Sequence, residues 1–344
     1  MAYIKSICER ARSTERASHI HISTETEPEP DADDLKGCYD VRTIEAWSQA
    51  VAYHLTPIMY KTESITIYTY NPRMILTILQ DHHAEVAQRL KNITCYTTFP
   101  STDATDYLAP VQTELLELVS VSGVSPIRLA HLQHVKTLRI YSLGIQLTWD
   151  EIKTTLRSCV VLEELEVADV AFEVESNTGS VEIPTLRILK VDITEMGGME
   201  ILELISTPGL VEFCVQGDFD APWDRVVLHM RPILRSIKRC SIGTGIYTDE
   251  LKDFMSELHS VEVLDIRRGG SQFTENMTRS FAPGHPTMKS LKRWIVARGL
   301  SQEQALRLRA WPGANVEVIY EGRQDEDEES FVQWDFDCER LGGA

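Results

Sequence analysis

Leu162-Glu-Glu-Leu165-Glu-Val167 and, twenty-four residues on, Leu186-Arg-Ile-Leu189-Lys-Val191 share one pattern: apolar, two free positions, apolar, one free position, apolar. The alternation at the end of each run puts two apolar side chains on one face of a strand and the residue between them on the other. The same pattern recurs at Val135-Lys-Thr-Leu138-Arg-Ile140, Leu210-Val-Glu-Phe213-Cys-Val215 and Val261-Glu-Val-Leu264-Asp-Ile266. Weaker copies run from Leu90 to Cys95, Leu116 to Val121, Ile237 to Ile242 and Leu291 to Val296, with Ile65-Thr-Ile67 as a degenerate first member.

The central apolar positions are 65, 93, 119, 138, 165, 189, 213, 240, 264 and 294, a mean spacing near 25 residues. Leucine-rich repeats have a period of roughly 20–29 residues, with one short strand each. Helix signals lie between the strands, as that class requires. Thr148-Trp-Asp-Glu151 and Ser301-Gln-Glu-Gln304 are capping boxes, and Thr248 precedes Asp249, Glu250 and the apolar series Leu251, Phe254, Met255 and Leu258. Gly197-Gly198 is expected to precede a helix from Met199 to about Ile205, stopped by Pro208-Gly209. The fold expected is α/β: an irregular leucine-rich-repeat solenoid, a horseshoe of about ten strand-helix repeats with a parallel concave sheet. The irregularity is expected because the asparagine or cysteine that ties successive turns in the commonest repeat is missing. Its places hold Leu143, Val170, Thr194, Asp218, Gly245 and Gly269.

Composition narrows the function. The 344 residues are 43% apolar and 25% charged, which is ordinary globular usage. The formal charge of −18 opposes binding to phosphate backbones, so nucleic acid is not an expected partner. Much of that charge is local: residues 24–40 carry −6 and residues 321–344 carry −7. The expected organisation is a single solenoid over 1–320, with 24–40 as an acidic loop inside it, and 321–344 as an acidic flexible tail. The seven cysteines are scattered without a C-x-x-C pair, which fits reduced thiols rather than disulfides or a zinc site. No secretory signal and no membrane-length apolar run is visible, so a cytoplasmic or nuclear location without a membrane partner is expected.

The degenerate repeats at this pitch, Ser158-Cys-Val-Val-Leu-Glu-Glu-Leu-Glu-Val167 and Ile183-Pro-Thr-Leu-Arg-Ile-Leu-Lys-Val191, resemble the F-box-type leucine-rich-repeat proteins of mushroom-forming (basidiomycete) fungi. Tyr3-Ile-Lys-Ser-Ile-Cys-Glu-Arg10 and Ala17-Ser-His-Ile-His-Ile22 are similar to the helix and strand that follow the F-box there. The resemblance implies a target-recognition module of a ubiquitin-ligase adaptor, the repeats selecting the target protein. No Leu-Pro-x-Glu start is present, and residues 1–60 leave no room for the three-helix F-box. A cullin-type ubiquitin ligase is therefore an expected partner only if an F-box is supplied.

In such a solenoid the residue between the last two apolar positions and the one just after them face the concave, solvent-facing side. The first row reads Thr66, Thr94, Ser120, Arg139, Glu166, Lys190, Cys214, Ser241, Asp265 and Ile295. The second reads Tyr68, Tyr96, Ser122, Tyr141, Ala168, Asp192, Gln216, Gly243, Arg267 and Ala297. Tyrosines are frequent protein-binding anchors, and charges alternating in sign on successive strands either read a partner or pair with each other. The candidate protein-binding residues are Tyr68, Tyr96, Arg139, Tyr141, Glu166, Lys190 and Asp192.

The motifs of serine hydrolases, zinc proteases, P-loops and dinucleotide folds are absent from the sequence. Asp81, His82, His83 and Glu85 cluster, but adjacent histidines on a helix point apart; His131 with His134 and His19 with His21 read as ordinary strand or turn residues. No catalytic residue, metal or cofactor is expected. The leading expectation is a non-catalytic protein–protein interaction module; the alternatives are an orphan repeat scaffold without a ligase role and an enzyme whose site is dispersed in sequence.

Overall fold

A computed structural model describes residues 18–23, 53, 61–69, 89–97, 114–122, 125–126, 130–141, 146–172, 179–194, 196–217, 221–244, 247–267, 273, 276–277, 290–297 and 317–321. The chain divides into two compact units, Met1–Leu210 and Val211–Ala344.

The first unit is a sheet with short elements in its later connections. Its strands begin with β1 (Ser18–Ser23), β2 (Thr62–Thr69), β3 (Asn92–Thr97), β4 (Leu118–Ser122) and β5 (Thr137–Tyr141). There follow β6 (Gln146–Leu147), α1 (Trp149–Ser158), β7 (Glu164–Ala168), β8 (Ala171–Phe172), β9 (Val181–Glu182), β10 (Ile188–Asp192), α2 (Met196–Leu204) and β11 (Ile205–Ser206). The sheet order is β1-β2-β3-β4-β5-β7-β10, and every pairing in it is parallel. The second unit has β12 (Glu212–Gln216), α3 (Trp223–Met230), β13 (Arg239–Gly243), α4 (Asp249–Ser256), β14 (Val263–Asp265), β15 (Arg293–Ala297) and β16 (Glu317–Glu321). Its five strands pair in chain order, again all parallel. The α/β class and the parallel sheet agree with the sequence reading.

The core is the apolar pattern itself. Ile65, Ile93, Val119, Leu138, Leu165 and Leu189 align on consecutive strands of the first unit and are all fully buried. Phe213, Cys240, Leu264 and Trp294 form the corresponding line in the second. Each such side chain contributes about 1.5–3 kcal/mol on burial, and a single unit of strand and helix has no second layer to bury it against.

Successive strands are also joined by backbone bonds just before each strand begins. The carbonyl of the residue after the first apolar position accepts N–H groups from the corresponding residues at the start of the next strand. Glu117 N–H and Leu118 N–H donate to the Lys91 carbonyl, Lys136 and Thr137 to that of Glu117, Glu163 and Glu164 to that of Lys136, and Arg187 and Ile188 to that of Glu163. In the second unit Glu262 and Val263 donate to the Lys238 carbonyl, and Lys292 and Arg293 to that of Glu262. Charged side chains stand at these same positions and pair across them, Lys91 with Glu63 at 3.3 Å, Lys136 with Glu117 at 3.0 Å and Lys292 with Glu262 at 2.6 Å.

The helices follow their caps. Thr148 accepts from Glu151 N–H while the Glu151 carboxylate accepts from Thr148 N–H, the reciprocal box read from the sequence. Thr248 accepts from Leu251 N–H, and Leu251, Phe254 and Met255 are buried. Two boundaries differ from expectation. Helix α2 starts at Met196, so both glycines lie inside it. Gly198 fits there because a Cβ would overlap the Asp192 carbonyl oxygen. Helix α3 was not foreseen; its Trp223, Val226, Val227 and Met230 have amphipathic spacing, but Pro222 at its N-cap offers no side-chain acceptor to announce it. Strand β16 ends at Glu321, one residue into the segment expected as tail. The Ser301–Gln304 capping box and the 24–40 acidic segment lie outside the described residues.

Candidate functional site

The parallel register turns the two expected rows into real neighbours. Thr66, Thr94, Ser120, Arg139, Glu166 and Lys190 pair in succession from β2 to β10. Tyr68, Tyr96, Ser122, Tyr141 and Ala168 do the same one alternation further along. In the second unit Cys214, Ser241, Asp265 and Ile295 align, as do Gln216 and Gly243.

The aromatic row is continuous. His21 lies 5.3 Å from the Tyr68 ring, Tyr68 stacks on Tyr96 with centroids 4.9 Å apart and planes 20° from parallel, and Tyr96 lies 6.3 Å from Tyr141. Tyr96 and Tyr141 sit two strands apart, roughly 9.6 Å at the usual strand spacing. Their rings lean together over Ser122, whose small side chain leaves the space and is itself buried. The Tyr96 hydroxyl also shares a 3.2 Å hydrogen bond with Ser120 Oγ.

Next to this run stands a closed set of charges. Arg139 on β5 lies 3.4 Å from the Glu166 carboxylate and 3.6 Å from that of Glu164, both on β7. Lys190 on β10 bonds Glu164 at 2.7 Å and lies 3.6 Å from Glu166. Each cation thus spans two carboxylates and each carboxylate two cations. The Tyr141 hydroxyl donates to Glu166 Oε1 at 2.7 Å, joining the aromatic run to the charges. Burial and the neighbouring Glu166 charge push the Tyr141 phenol far above its ordinary value. For Lys190, burial pulls downward, but the Glu164 and Glu166 carboxylates outweigh it and hold the ammonium above its usual range.

The nominated residues therefore divide into three kinds. Tyr68 and Tyr96 are half-buried and present part of their rings outward. Tyr141 and Glu166, expected on the solvent-facing side, are only 5% and 7% exposed, because the rings close over Ser122 and the ion pairs close over the carboxylate. Arg139 and Lys190 keep side-chain exposures of 37% and 24%, with their charges directed at the two glutamates. Asp192 turns back on its own chain, where its Oδ1 accepts from both the N–H and the hydroxyl of Thr194 and shapes the turn into α2.

Two participants were missed. Glu164 precedes Leu165 and faces the same way as Glu166 two residues on; the i, i+2 rule applied one step earlier along the strand finds it. His21 extends the aromatic run because β1 pairs with β2. Asp81, His82, His83 and Glu85 lie outside the described residues. His131 and His134 are exposed on a turn whose Leu132 and Val135 are buried. Among the described residues no group of three or more His, Cys, Asp or Glu side chains is placed to hold a metal ion. None of the described helices is long and apolar enough to cross a membrane. This chain matches no known protein-family model and no curated protein.

Proposed function

We propose that this chain is a non-catalytic protein–protein interaction module, an irregular leucine-rich-repeat solenoid of about ten repeats whose sheet face, the concave side of a horseshoe, recognises a target protein in the cytoplasm or nucleus. The observation that carries the reading is the in-register row of Tyr68 and Tyr96, half-buried and stacked on one sheet face. Large, rigid, partly exposed rings on a preformed sheet lose little conformational entropy on binding, which is why tyrosine serves so often as an interface anchor. The charges beside them neutralise one another, so they hold the face in shape and leave the energy of contact to the rings. By its resemblance to F-box-type repeat proteins of basidiomycete fungi, the chain is the target-selecting part of a ubiquitin-ligase adaptor, attached to a cullin-type ligase only if an F-box is supplied.

The test is co-purification from extract of the native cell, comparing the chain with a Tyr68→Ala/Tyr96→Ala variant shown by circular dichroism to fold alike. A discrete target that is lost with the variant supports the recognition site, and a target kept by the variant removes it. The adaptor role is tested with an F-box fused to the chain: ubiquitination of the captured target by the recruited cullin-type ligase supports it, and a target that is bound but left unmodified removes it.

A further inference from the structure

We propose that the chain associates with a second copy of itself through the residues that lead into β7 and β10, the two copies related by a two-fold axis that sets Glu163 of each against the partner's Arg187.

The first ground is a row of charges with two left over. The residues whose backbone joins successive strands of the first unit are Glu63, Lys91, Glu117, Lys136, Glu163 and Arg187, which alternate in sign without a break. Lys91 is paired with Glu63, and Lys136 with Glu117. Glu163 and Arg187 come next, on neighbouring strands and both exposed. Among the described residues Glu163 has no ion-pair partner, and the Arg187 guanidinium donates to the Gly209 carbonyl at 2.9 Å instead of to a carboxylate.

The second ground is the apolar surface beside these two charges. The chain makes the same turn ahead of β5, β7 and β10, closed by Val135 N–H on the Leu132 carbonyl, Leu162 N–H on that of Cys159 and Leu186 N–H on that of Ile183. The central residues of the three turns are Gln133-His134, Val160-Val161 and Pro184-Thr185. Val160 and Val161 are 62% and 38% exposed. Turns in water favour Gly, Pro, Asn, Asp and Ser, so two adjacent exposed valines are better suited to a covered turn than to a bare one.

The third ground is symmetry. A two-fold axis between β7 and β10 reverses the row, so that Glu163 faces the partner's Arg187 while Arg187 faces the partner's Glu163. The same rotation lays Val160 and Val161 against the partner's Pro184 and the partner's Thr185, which takes apolar surface out of water. The net charge of −18 opposes the approach of two copies, but at ~0.15 M salt it is screened beyond about 8 Å, while pairs in contact are screened less. The contact is small, and the dimer is accordingly weak. Tyr68 and Tyr96 lie toward the other end of their strands, so the dimer carries two tyrosine sites and gains avidity for a target with two matching segments.

Sedimentation velocity of the full chain at ~0.15 M salt is expected to show a monomer–dimer equilibrium as protein concentration rises. Glu163→Arg and Arg187→Glu each convert both contacts into like-charge pairs, and each is expected to raise the dissociation constant about ten-fold or more. Mixed together, one variant brings two arginines to the contact and the other two glutamates, so the mixture is expected to form the heterodimer although neither variant pairs with itself. Val160→Ser/Val161→Ser leaves the charges in place; it is expected to weaken the dimer, and serves if a charge variant misfolds. A chain that stays monomeric at every concentration, a dimer indifferent to the charge variants or to the serine variant, or a mixture that fails to recover association would each overturn the inference.

Discussion

Tyr141 on β5 donates its phenolic hydrogen to Glu166 on β7 at 2.7 Å, and both residues are almost wholly buried. This bond joins a run of rings to a set of ion pairs, so its loss is felt on both sides. In Tyr141→Phe the ring remains and the carboxylate loses its one hydroxyl donor. A buried hydrogen bond to a charged group is worth about 1.5–3 kcal/mol, and a loss of that size is expected in urea unfolding. The same bond has a pH signature. Because the folded phenol is held above its usual value near 10, its contribution is complete below that value. Above it the unfolded phenol ionises while the folded one does not, and stability falls as pH rises. Ultraviolet titration of the chain against Tyr141→Phe should show that the Tyr141 phenol stays protonated until the protein unfolds.

The charges beside Tyr141 act as a set. Lys190 and Glu164 approach to 2.7 Å with side-chain exposures of 24% and 19%. A double-mutant cycle with Lys190→Met and Glu164→Gln is expected to give a coupling energy of about 1 kcal/mol, above the usual value for fully exposed pairs. Lys190 is held above its ordinary range, so its contribution is intact below about 10.5 and is lost as pH rises through the higher folded value. A coupling that is zero at neutral pH and unchanged in high alkali would show that the pair does nothing for stability.

The repeat pattern made the strands legible because every copy buries the same three positions, and burial is what the apolar residues respond to. It lost β16 because the first apolar place, three residues before Val318, is the polar Asn315. It missed α3 because a helix starting on Pro222 carries no side-chain cap. Facing was also legible: alternation alone put Tyr68, Tyr96 and Tyr141 on one row and Arg139, Glu166 and Lys190 on the other. Exposure was not, since it depends on what neighbouring strands do with the space. Nothing local to Tyr141 announces that Ser122 lets the rings close, or that Glu164, a residue outside both rows, gives Arg139 and Lys190 a second carboxylate.

Gly198 illustrates a constraint of the same kind. Its helix lies so close to the end of β10 that a methyl group would overlap the Asp192 carbonyl. The obstacle is backbone, which does not rotate away. Gly198→Ala is expected to destabilise the chain by about 1–3 kcal/mol despite the better helix propensity of alanine, whereas an alanine on an open helix face would stabilise it. Thermal unfolding of the variant decides between the two signs.

The thiols should react in an order set by which side of the sheet they face. Cys95 and Cys240 point into the core from β3 and β13, and Cys159 is buried at the end of α1. Burial pushes Cys95 and Cys240 well above the usual thiol range and Cys159 up to about 12. Cys214 lies on the opposite, outward row of β12 and is only half-buried. Of these four, Cys214 is expected to take iodoacetamide first in the native protein, and the other three only on unfolding. Mass spectrometry of timed aliquots reads the order directly, and early labelling of Cys240 would contradict the placement of β13.

At the rim of the second unit, Glu262 lies between Lys292 at 2.6 Å and Lys238 at 3.7 Å. The hydrogen bond from Lys292 and its charge hold the Glu262 carboxyl below its ordinary 4.5. A lowered carboxyl contributes its stability above the unfolded value and loses it as pH falls through the folded one. Because the group is at the surface, salt should erase most of the effect. Carboxyl-carbon chemical shifts are therefore expected to show Glu262 titrating below its ordinary 4.5 at low ionic strength, and Lys292→Ala or added salt should bring it back up. Strand β14 keeps its place in either case, since the Glu262 N–H and carbonyl are held by the backbone bonds to Lys238 and from Lys292, which neither treatment touches. If Lys292→Ala instead loosened β14 or β15 in hydrogen exchange, the side-chain pairs would be holding the turns, and the backbone ladder would not suffice alone.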